Sequence, residues 1–174
     1  MFPSGENHLI LSLEFSFLLM RHARAAMKLK DHPSYKQLLA ELRVLIIDDF
    51  EMGRTMLRNA LTAIGLPTQN MIEACNGREA VDKLARGHER GASYGLVLSD
   101  WLMPEMTGIE LLKFCREDER FSKTPIIMVT SEADPESVLK AMKMGANDYI
   151  TKPATPEDLE RKITKIFAKQ VKNS

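Results

Sequence analysis

The sequence is poor in cysteine, has no net charge and contains no long uninterrupted apolar run. Lysine plus arginine and aspartate plus glutamate number 24 each, so no global field favours nucleic acid or an anionic membrane. Cys75 and Cys115 lack C-x-x-C spacing and indicate reduced thiols, which favours a cytoplasmic location. The apolar run over residues 9–20 contains polar residues and is shorter than the ~20 residues of a membrane-spanning helix. We therefore expect neither nucleic-acid binding nor membrane insertion.

The length of 174 residues fits one domain of ordinary size. We expect an N-terminal extension over residues 1–40 and one domain over residues 41–174. For the extension three hypotheses stay open: a secretion signal, a start site assigned too far upstream, or an added helix that docks on the domain or on a partner. Ser34 is expected to cap a short amphipathic helix that runs through Leu42.

From residue 43 onward, short apolar strands alternate with amphipathic helices. This alternation predicts a parallel sheet with helices on both faces, a doubly wound α/β fold. The predicted strands cover residues 44–47, 70–74, 94–99, 125–130 and 148–151, and the following helices begin near residues 51, 77, 107, 134 and 155. Met52 and Met56 lie on the apolar face of the first of these helices, and we interpret them as core. Residues 87–91 are predicted to form a polar loop.

Polar side chains stand at the carboxyl ends of four of these strands. Asp48 and Asp49 follow the first strand, Asp100 follows the third, Thr130 ends the fourth and Lys152 follows the fifth. Because parallel strands end at the same edge of a sheet, where open α/β sheets bind ligands, we expect these groups to converge. Neighbouring carboxylates repel one another and need a cation, and oxygen ligands suit Mg²⁺.

This set of groups suits phosphoryl transfer, which requires an aligned attacking oxygen and neutralised charge. Asp100 would attack, Lys152 and Mg²⁺ would neutralise charge, and the Thr130 hydroxyl would donate a hydrogen bond to a phosphoryl oxygen. Each residue alone has a simpler explanation, since an Asp-Asp pair after a strand often caps the next helix. The prediction therefore depends on all of them meeting at one edge.

Four stretches together resemble the receiver domain of two-component response regulators, over about residues 42–170. They are Val44-Leu45-Ile46-Ile47-Asp48-Asp49-Phe50, Ser99-Asp100-Trp101-x-Met103-Pro104, Met128-Val129-Thr130-x-Glu132-Ala133 and Lys152-Pro153. Within the family they look most like the stand-alone chemotaxis regulators of the flagellar motor. The resemblance implies a five-stranded flavodoxin-like sheet of strand order 2-1-3-4-5, of which the receiver fold is a known example.

The resemblance also implies a division of labour among the site residues. Asp100 would accept a phosphoryl group from a histidine kinase. Asp49, Asp100 and the backbone carbonyl of Leu102 would ligate Mg²⁺, with Asp48 assisting. The Thr130 hydroxyl would then move towards the phosphoryl group.

A protein-binding output is implied by the same resemblance. Tyr149 would swing inward and reshape the surface formed by the helix after strand four, strand five and the last helix. The target would be a flagellar switch protein or, in a phosphorelay, a histidine phosphotransfer protein, and the chain would catalyse only its own phosphorylation and dephosphorylation. At Leu102, Asp134 and Pro135 the chain differs from the motor-switching members. A Mg²⁺-dependent phosphatase is the rival from another class, although such enzymes usually carry a second acid where Leu102 stands.

Overall fold

The protein is described by a computed structural model over residues 33–131 and 134–172, which contain a five-stranded parallel sheet in the order β2-β1-β3-β4-β5. This order confirms the predicted doubly wound α/β fold. The strands are β1 (Val44–Ile47), β2 (Met71–Ala74), β3 (Leu96–Ser99), β4 (Ile126–Thr130) and β5 (Asp148–Thr151). The helices are α1 (Pro33–Glu41), α2 (Glu51–Ala63), α3 (Gly77–Glu89), α4 (Gly108–Glu117), α5 (Pro135–Lys143) and α6 (Pro156–Lys172), and a short 3-10 helix covers Thr68–Asn70.

Two apolar cores lie on opposite faces of the sheet. One is formed by α1, α2 and α6 against alternate strand residues such as Val44, Ile46 and Leu98. The other is formed by α3, α4 and α5 against the intervening residues such as Leu45 and Val97. Every residue of β1, β3 and β4 is buried, as expected for parallel strands covered on both faces. The continuous apolar runs in the sequence are a consequence of this double burial.

The helix starts follow the signals in the sequence. Thr107 and Glu110 form a capping box at α4, with the Thr107 side chain accepting from the Glu110 N–H and the Glu110 carboxylate accepting from the Thr107 N–H. Asp134 accepts from the Ser137 N–H at 2.8 Å and so caps α5, where Pro135 occupies the first turn. These contacts confirm the predicted helix starts near residues 107 and 134.

The predictions for Met52, Met56 and the loop over residues 87–91 are wrong. Met52 is 75% exposed and Met56 is 48% exposed, because α2 buries Leu57, Ala60 and Leu61 and turns both methionines away from the sheet. Helix α3 continues to Glu89 through most of the predicted polar loop. Gly87 is buried there and lies so close to the Tyr94 ring that an added Cβ would approach it to 3.0 Å, so tertiary packing supports the extra turn.

Helix α1 packs on the first core through Tyr35 and Leu39, which are 2% and 4% exposed. It begins at Pro33, so Ser34 lies inside the helix and is not its cap. Residues 1–32 lie outside the described part of the chain, and the division into an extension over 1–40 and a domain over 41–174 stays a prediction. Among the described helices none is both long and apolar enough to cross a bilayer.

An ion-pair cluster joins β5 to α6. The buried Asp148 carboxylate accepts from the Lys162 ammonium at 2.5 Å and from the Lys165 ammonium at 2.8 Å. Burial acts to raise the pKa of Asp148, but the two lysine hydrogen bonds outweigh it, so the pKa lies below its ordinary value. Lys162 and Lys165 therefore anchor α6 to the sheet.

We predict that Leu39→Ala lowers the free energy of unfolding by about 2–4 kcal/mol, because it removes a buried side chain and leaves a cavity between α1 and the core. Urea denaturation of the full chain measures the change. Lys36→Ala, an exposed position on the same helix, is the matched control and should stay within about 0.5 kcal/mol of the parent. Equal midpoints for the two variants would show that α1 does not pack as described.

We also predict that the stabilisation by Asp148 depends on pH. A carboxyl whose pKa is lower in the folded state stabilises fully above its unfolded value of about 3.9, and loses that effect as the pH falls through the folded value. The stability difference between the wild type and Asp148→Asn should therefore be large at neutral pH and shrink in the acidic range. Denaturant midpoints at several pH values measure this difference. The exposed Asp82→Asn variant should follow the wild type, and a pH-independent Asp148→Asn difference would contradict the prediction.

Candidate functional site

The predicted site residues meet at the carboxyl edge of the sheet. Asp48 directly follows β1, Asp100 follows β3, Thr130 is the last residue of β4 and Lys152 follows β5. Asp48, Asp100 and Thr130 are buried, and the first of them has no exposed surface. The parallel topology thus brings together groups that are up to 104 positions apart in the sequence.

Three carboxylates form the centre of this edge. One oxygen from each of Asp48, Asp49 and Asp100 lies within 4.8 Å of the other two. The backbone fixes two of them, since the Asp48 N–H donates to the Ala74 carbonyl at 3.2 Å and the Asp100 N–H donates to the Ile47 carbonyl at 2.8 Å. Sheet hydrogen bonding therefore continues through the aspartates and holds them in place.

Lys152 inserts its ammonium between two of these carboxylates. Its Nζ lies 2.6 Å from Asp48 Oδ2 and also contacts Asp100 Oδ2. Burial acts to lower the pKa of the Lys152 ammonium, but the hydrogen bonds and charges of Asp100 and Asp48 outweigh it, so the pKa lies above its ordinary value. Lys152 is therefore a fixed positive charge at the carboxylate that we expect to react.

The oxygen atoms that remain fit a divalent cation. Asp49 Oδ1 is buried and accepts no hydrogen bond from the described residues, whereas Asp100 Oδ1 accepts from the Trp101 N–H at 2.6 Å. Three carboxylates against one ammonium also leave an excess of negative charge. An orphaned buried acceptor within an all-oxygen donor set is what a hard cation such as Mg²⁺ requires.

Close backbone packing holds the loop after β3. The Gly108 N–H donates to the Trp101 carbonyl at 2.9 Å, and a Cβ on Gly108 would lie 1.9 Å from the Asp100 carbonyl oxygen. Glu105 adopts a left-handed φ of 64° and its carboxylate accepts from the Asn76 amide at 2.9 Å. The loop therefore has little freedom next to Asp100. The Leu102 side chain is 58% exposed, and the role of its carbonyl as a metal ligand stays a prediction.

Helix α2 supplies two positioning residues that the sequence reasoning missed. The Arg54 guanidinium donates to the Asp48 carbonyl at 2.8 Å and to Glu73 Oε2 at 3.0 Å, which ties the start of α2 to β2. Gly53 lies against Asp48 so closely that a Cβ would stand 2.3 Å from Oδ2. Both residues sit within one turn of the Asp-Asp pair, and this proximity is the only signal in the sequence that indicated them.

The two predicted switch residues occupy neighbouring strands. Thr130 is buried at the end of β4 and pairs with Thr151, while Tyr149 pairs with Met128. Tyr149 is half-buried and packs against the core that includes α5. Thr130 thus lies at the carboxyl edge of the sheet, whereas Tyr149 is the second residue of β5, and the movement of both residues stays a prediction.

Comparisons with known proteins agree with this geometry. The family model of the response regulator receiver domain matches residues 44–164. The chemotaxis protein CheY of Pseudomonas aeruginosa is 39% identical over 126 residues, which cover 72% of this chain and 96% of that protein. The solved structure of the Vibrio cholerae chemotaxis protein CheY4 matches with a TM-score of 0.61 and 33% identity over 72% of this chain and 98% of that one.

A further match concerns a chain in a complex. The solved structure of the CheX-CheY-BeF3-Mg complex from Borrelia burgdorferi matches with a TM-score of 0.64 and 26% identity, and covers 72% of this chain and 89% of that one. The family model spans more than half of the chain, and the CheY of Pseudomonas aeruginosa is covered almost completely. The chain therefore belongs to the response regulator receiver domain family, with CheY-like chemotaxis regulators among its relatives.

Proposed function

We propose that this protein is a signalling switch that accepts a phosphoryl group on Asp100 from a histidine kinase and then presents a changed surface to a target protein. Receiver domains of the CheY type are signalling proteins and not classical enzymes, and they bind Mg²⁺ at an acidic pocket. The observation that carries the proposal is the placement of Asp100 between a fixed ammonium and two further carboxylates at one sheet edge.

The proposed transfer needs few groups beyond those at this edge. A carboxylate oxygen of Asp100 attacks the phosphorus, the bond from phosphorus to the donor's imidazole nitrogen breaks, and the imidazole leaves. Lys152 neutralises charge at the attacked group, and Thr130 is placed to donate a hydrogen bond to a phosphoryl oxygen. Asp49, Asp100 and the Leu102 carbonyl, with Asp48 assisting, would hold Mg²⁺, which supplies further charge neutralisation when bound.

The proposed output surface lies beside the switch residues. It comprises α5, β5 and α6, and Tyr149 belongs to its one strand, β5. Leu139 and Met142 of α5 are 54% and 41% exposed, so apolar side chains are available there for a partner protein. A new charge at Asp100 would draw the Thr130 hydroxyl inward and let Tyr149 follow, which changes that surface. A flagellar switch protein or a histidine phosphotransfer protein would read the change.

The phosphatase hypothesis receives no support from the site. Position 102, where such an enzyme would carry its second acid, is an exposed leucine. Its side chain offers no group that can protonate a leaving alcohol or orient a water.

A cytoplasmic location fits the proposed exchange with a kinase, and Cys75 and Cys115 are both free thiols.

The first experiment measures intact mass after incubation with acetyl phosphate and Mg²⁺. We expect the wild type to gain one phosphoryl group and Asp100→Asn to gain none, because the amide is not a competent nucleophile. Asp82→Asn, an exposed position on α3, is the matched control and should behave as the wild type. Modification of Asp100→Asn, or none of the wild type, would refute the assignment. Sustained turnover of p-nitrophenyl phosphate would instead revive the phosphatase.

The second experiment tests the metal site through Trp101, the only tryptophan in the chain. The backbone N–H of Trp101 donates to the Asp100 carboxylate, so Mg²⁺ binding there should change the fluorescence of Trp101. A chelator should reverse the change. Asp49→Asn should weaken Mg²⁺ binding at least about tenfold, because it removes a charged ligand from the cluster. The Asp82→Asn control should bind like the wild type. Unchanged Mg²⁺ affinity in Asp49→Asn would contradict the proposed ligand set.

A further inference from the structure

An open cleft of about 560 Å³ lies at the sheet edge opposite to Asp100. Its lining includes the residues that directly precede three of the strands, namely Arg43 before β1, Gly95 before β3 and Pro125 before β4. The amino ends of the strands therefore form its floor. The volume falls within the range of about 300–1,000 Å³ typical of small-molecule sites.

Arg43 is held in this cleft with part of its guanidinium unused. Its carbonyl accepts from the Gly95 N–H at 2.9 Å, which fixes the backbone, and its Cζ lies 4.9 Å from the centroid of the Tyr94 ring. Nη1 is buried and donates no hydrogen bond to any described residue. Arg43 therefore carries one orphaned N–H that is closed off from solvent, and its guanidinium adds a fixed positive charge to the cleft lining.

The charge of the cleft is predominantly positive although the whole chain is neutral. Arg43, Arg120 and Lys123 line it together with a single acid, Glu41. Arg120 is already paired with Asp118 at 2.6 Å, whereas Lys123 is exposed and makes no ion pair within the described part of the chain. Arg43 and Lys123 are therefore left against Glu41, so the lining keeps a net positive charge for an anionic group.

The walls beside these cations are apolar, and part of them lies outside the span that the receiver family model matches. Leu38 and Leu42 come from α1 and the loop after it, and Phe167 comes from α6. All three lie outside residues 44–164, the span that the receiver family model matches. The cleft therefore combines a floor from within the matched span with apolar walls from α1, the residue after it and α6.

We propose that this cleft binds a small organic oxyanion, a phosphate or carboxylate group carried on an apolar body. Arg43 donates to the oxyanion from its planar guanidinium, and Lys123 adds a mobile positive charge at the rim. The apolar body rests against Leu38, Leu42 and Phe167. The proposal does not depend on the function proposed for Asp100, because none of these residues belongs to the acidic edge.

The test is a titration of the ¹⁵N-labelled full chain with phenyl phosphate and, separately, with benzoate, in the presence of EDTA so that Mg²⁺ does not recruit phosphate to the acidic edge. We expect at least one probe to produce saturable amide shifts at Arg43, Tyr94, Gly95 and Lys123. Response to phenyl phosphate alone identifies a phosphate site, and response to benzoate alone identifies a carboxylate site. Shifts that do not saturate, or that centre on Asp100, would overturn the proposal.

Three variants distinguish a specific binding site from non-specific electrostatic attraction of the probe. Arg43→Gln should weaken binding at least about tenfold, since it removes a charge-assisted hydrogen bond. Lys123→Gln should weaken it about two- to fivefold, as for an exposed charge pair. Lys113→Gln removes an equally exposed lysine on α4 and should have no effect. If Arg43→Gln does not fold, the probe affinities of Lys123→Gln and Lys113→Gln are compared instead. Equal affinities for those two variants would refute the site.

Discussion

The ion pairs that Lys152 makes with Asp48 and Asp100 are the interaction on which the functional edge depends. Three carboxylates within 4.8 Å repel one another, and the ammonium at their centre compensates part of that repulsion. The strand order explains why a lysine serves here. Strands β1 and β3 are neighbours, whereas β5 lies two strands from β3, about 10 Å away at the usual strand spacing. A long flexible side chain is needed to cross that gap.

This charge cluster is tolerated because the surrounding backbone is rigid. The strands that carry the aspartates are buried on both faces, and the N–H groups of Asp48 and Asp100 continue the sheet hydrogen bonding. Gly53 and Gly108 let the neighbouring helices approach until a methyl group would collide with Asp48 or with the Asp100 backbone. Packing energy from the two cores thus opposes the electrostatic cost of gathering like charges.

Apolar runs that end in a polar residue mark strand ends independently of context, so they were sufficient to predict the convergence of the five polar groups. The strand order followed only from the resemblance to the receiver family. The sequence was insufficient where the tertiary surroundings decide. The periodicity of α2 placed Met52 with Leu57, yet only Leu57 faces the sheet. The one local signal for Arg54 is its nearness to the Asp-Asp pair, and this signal does not indicate Glu73, an acceptor that lies 19 residues away. The sequence predicts Gly87 in a loop, but the residue is helical in the structure, where the Tyr94 ring packs against it.

The two sheet edges carry opposite charge, and the size of the sheet determines how they can interact. Strands of four or five residues separate the edges by about 13–17 Å. That exceeds the Debye length of about 8 Å at physiological ionic strength, so charges at Asp100 and in the cleft are screened from each other through solvent. Any coupling must therefore pass through the buried strands. Strand β3 connects Asp100 at one end with Gly95 at the other. Because this strand is rigidly packed, a displacement along it would couple the two sites more effectively than the screened electrostatic field through solvent.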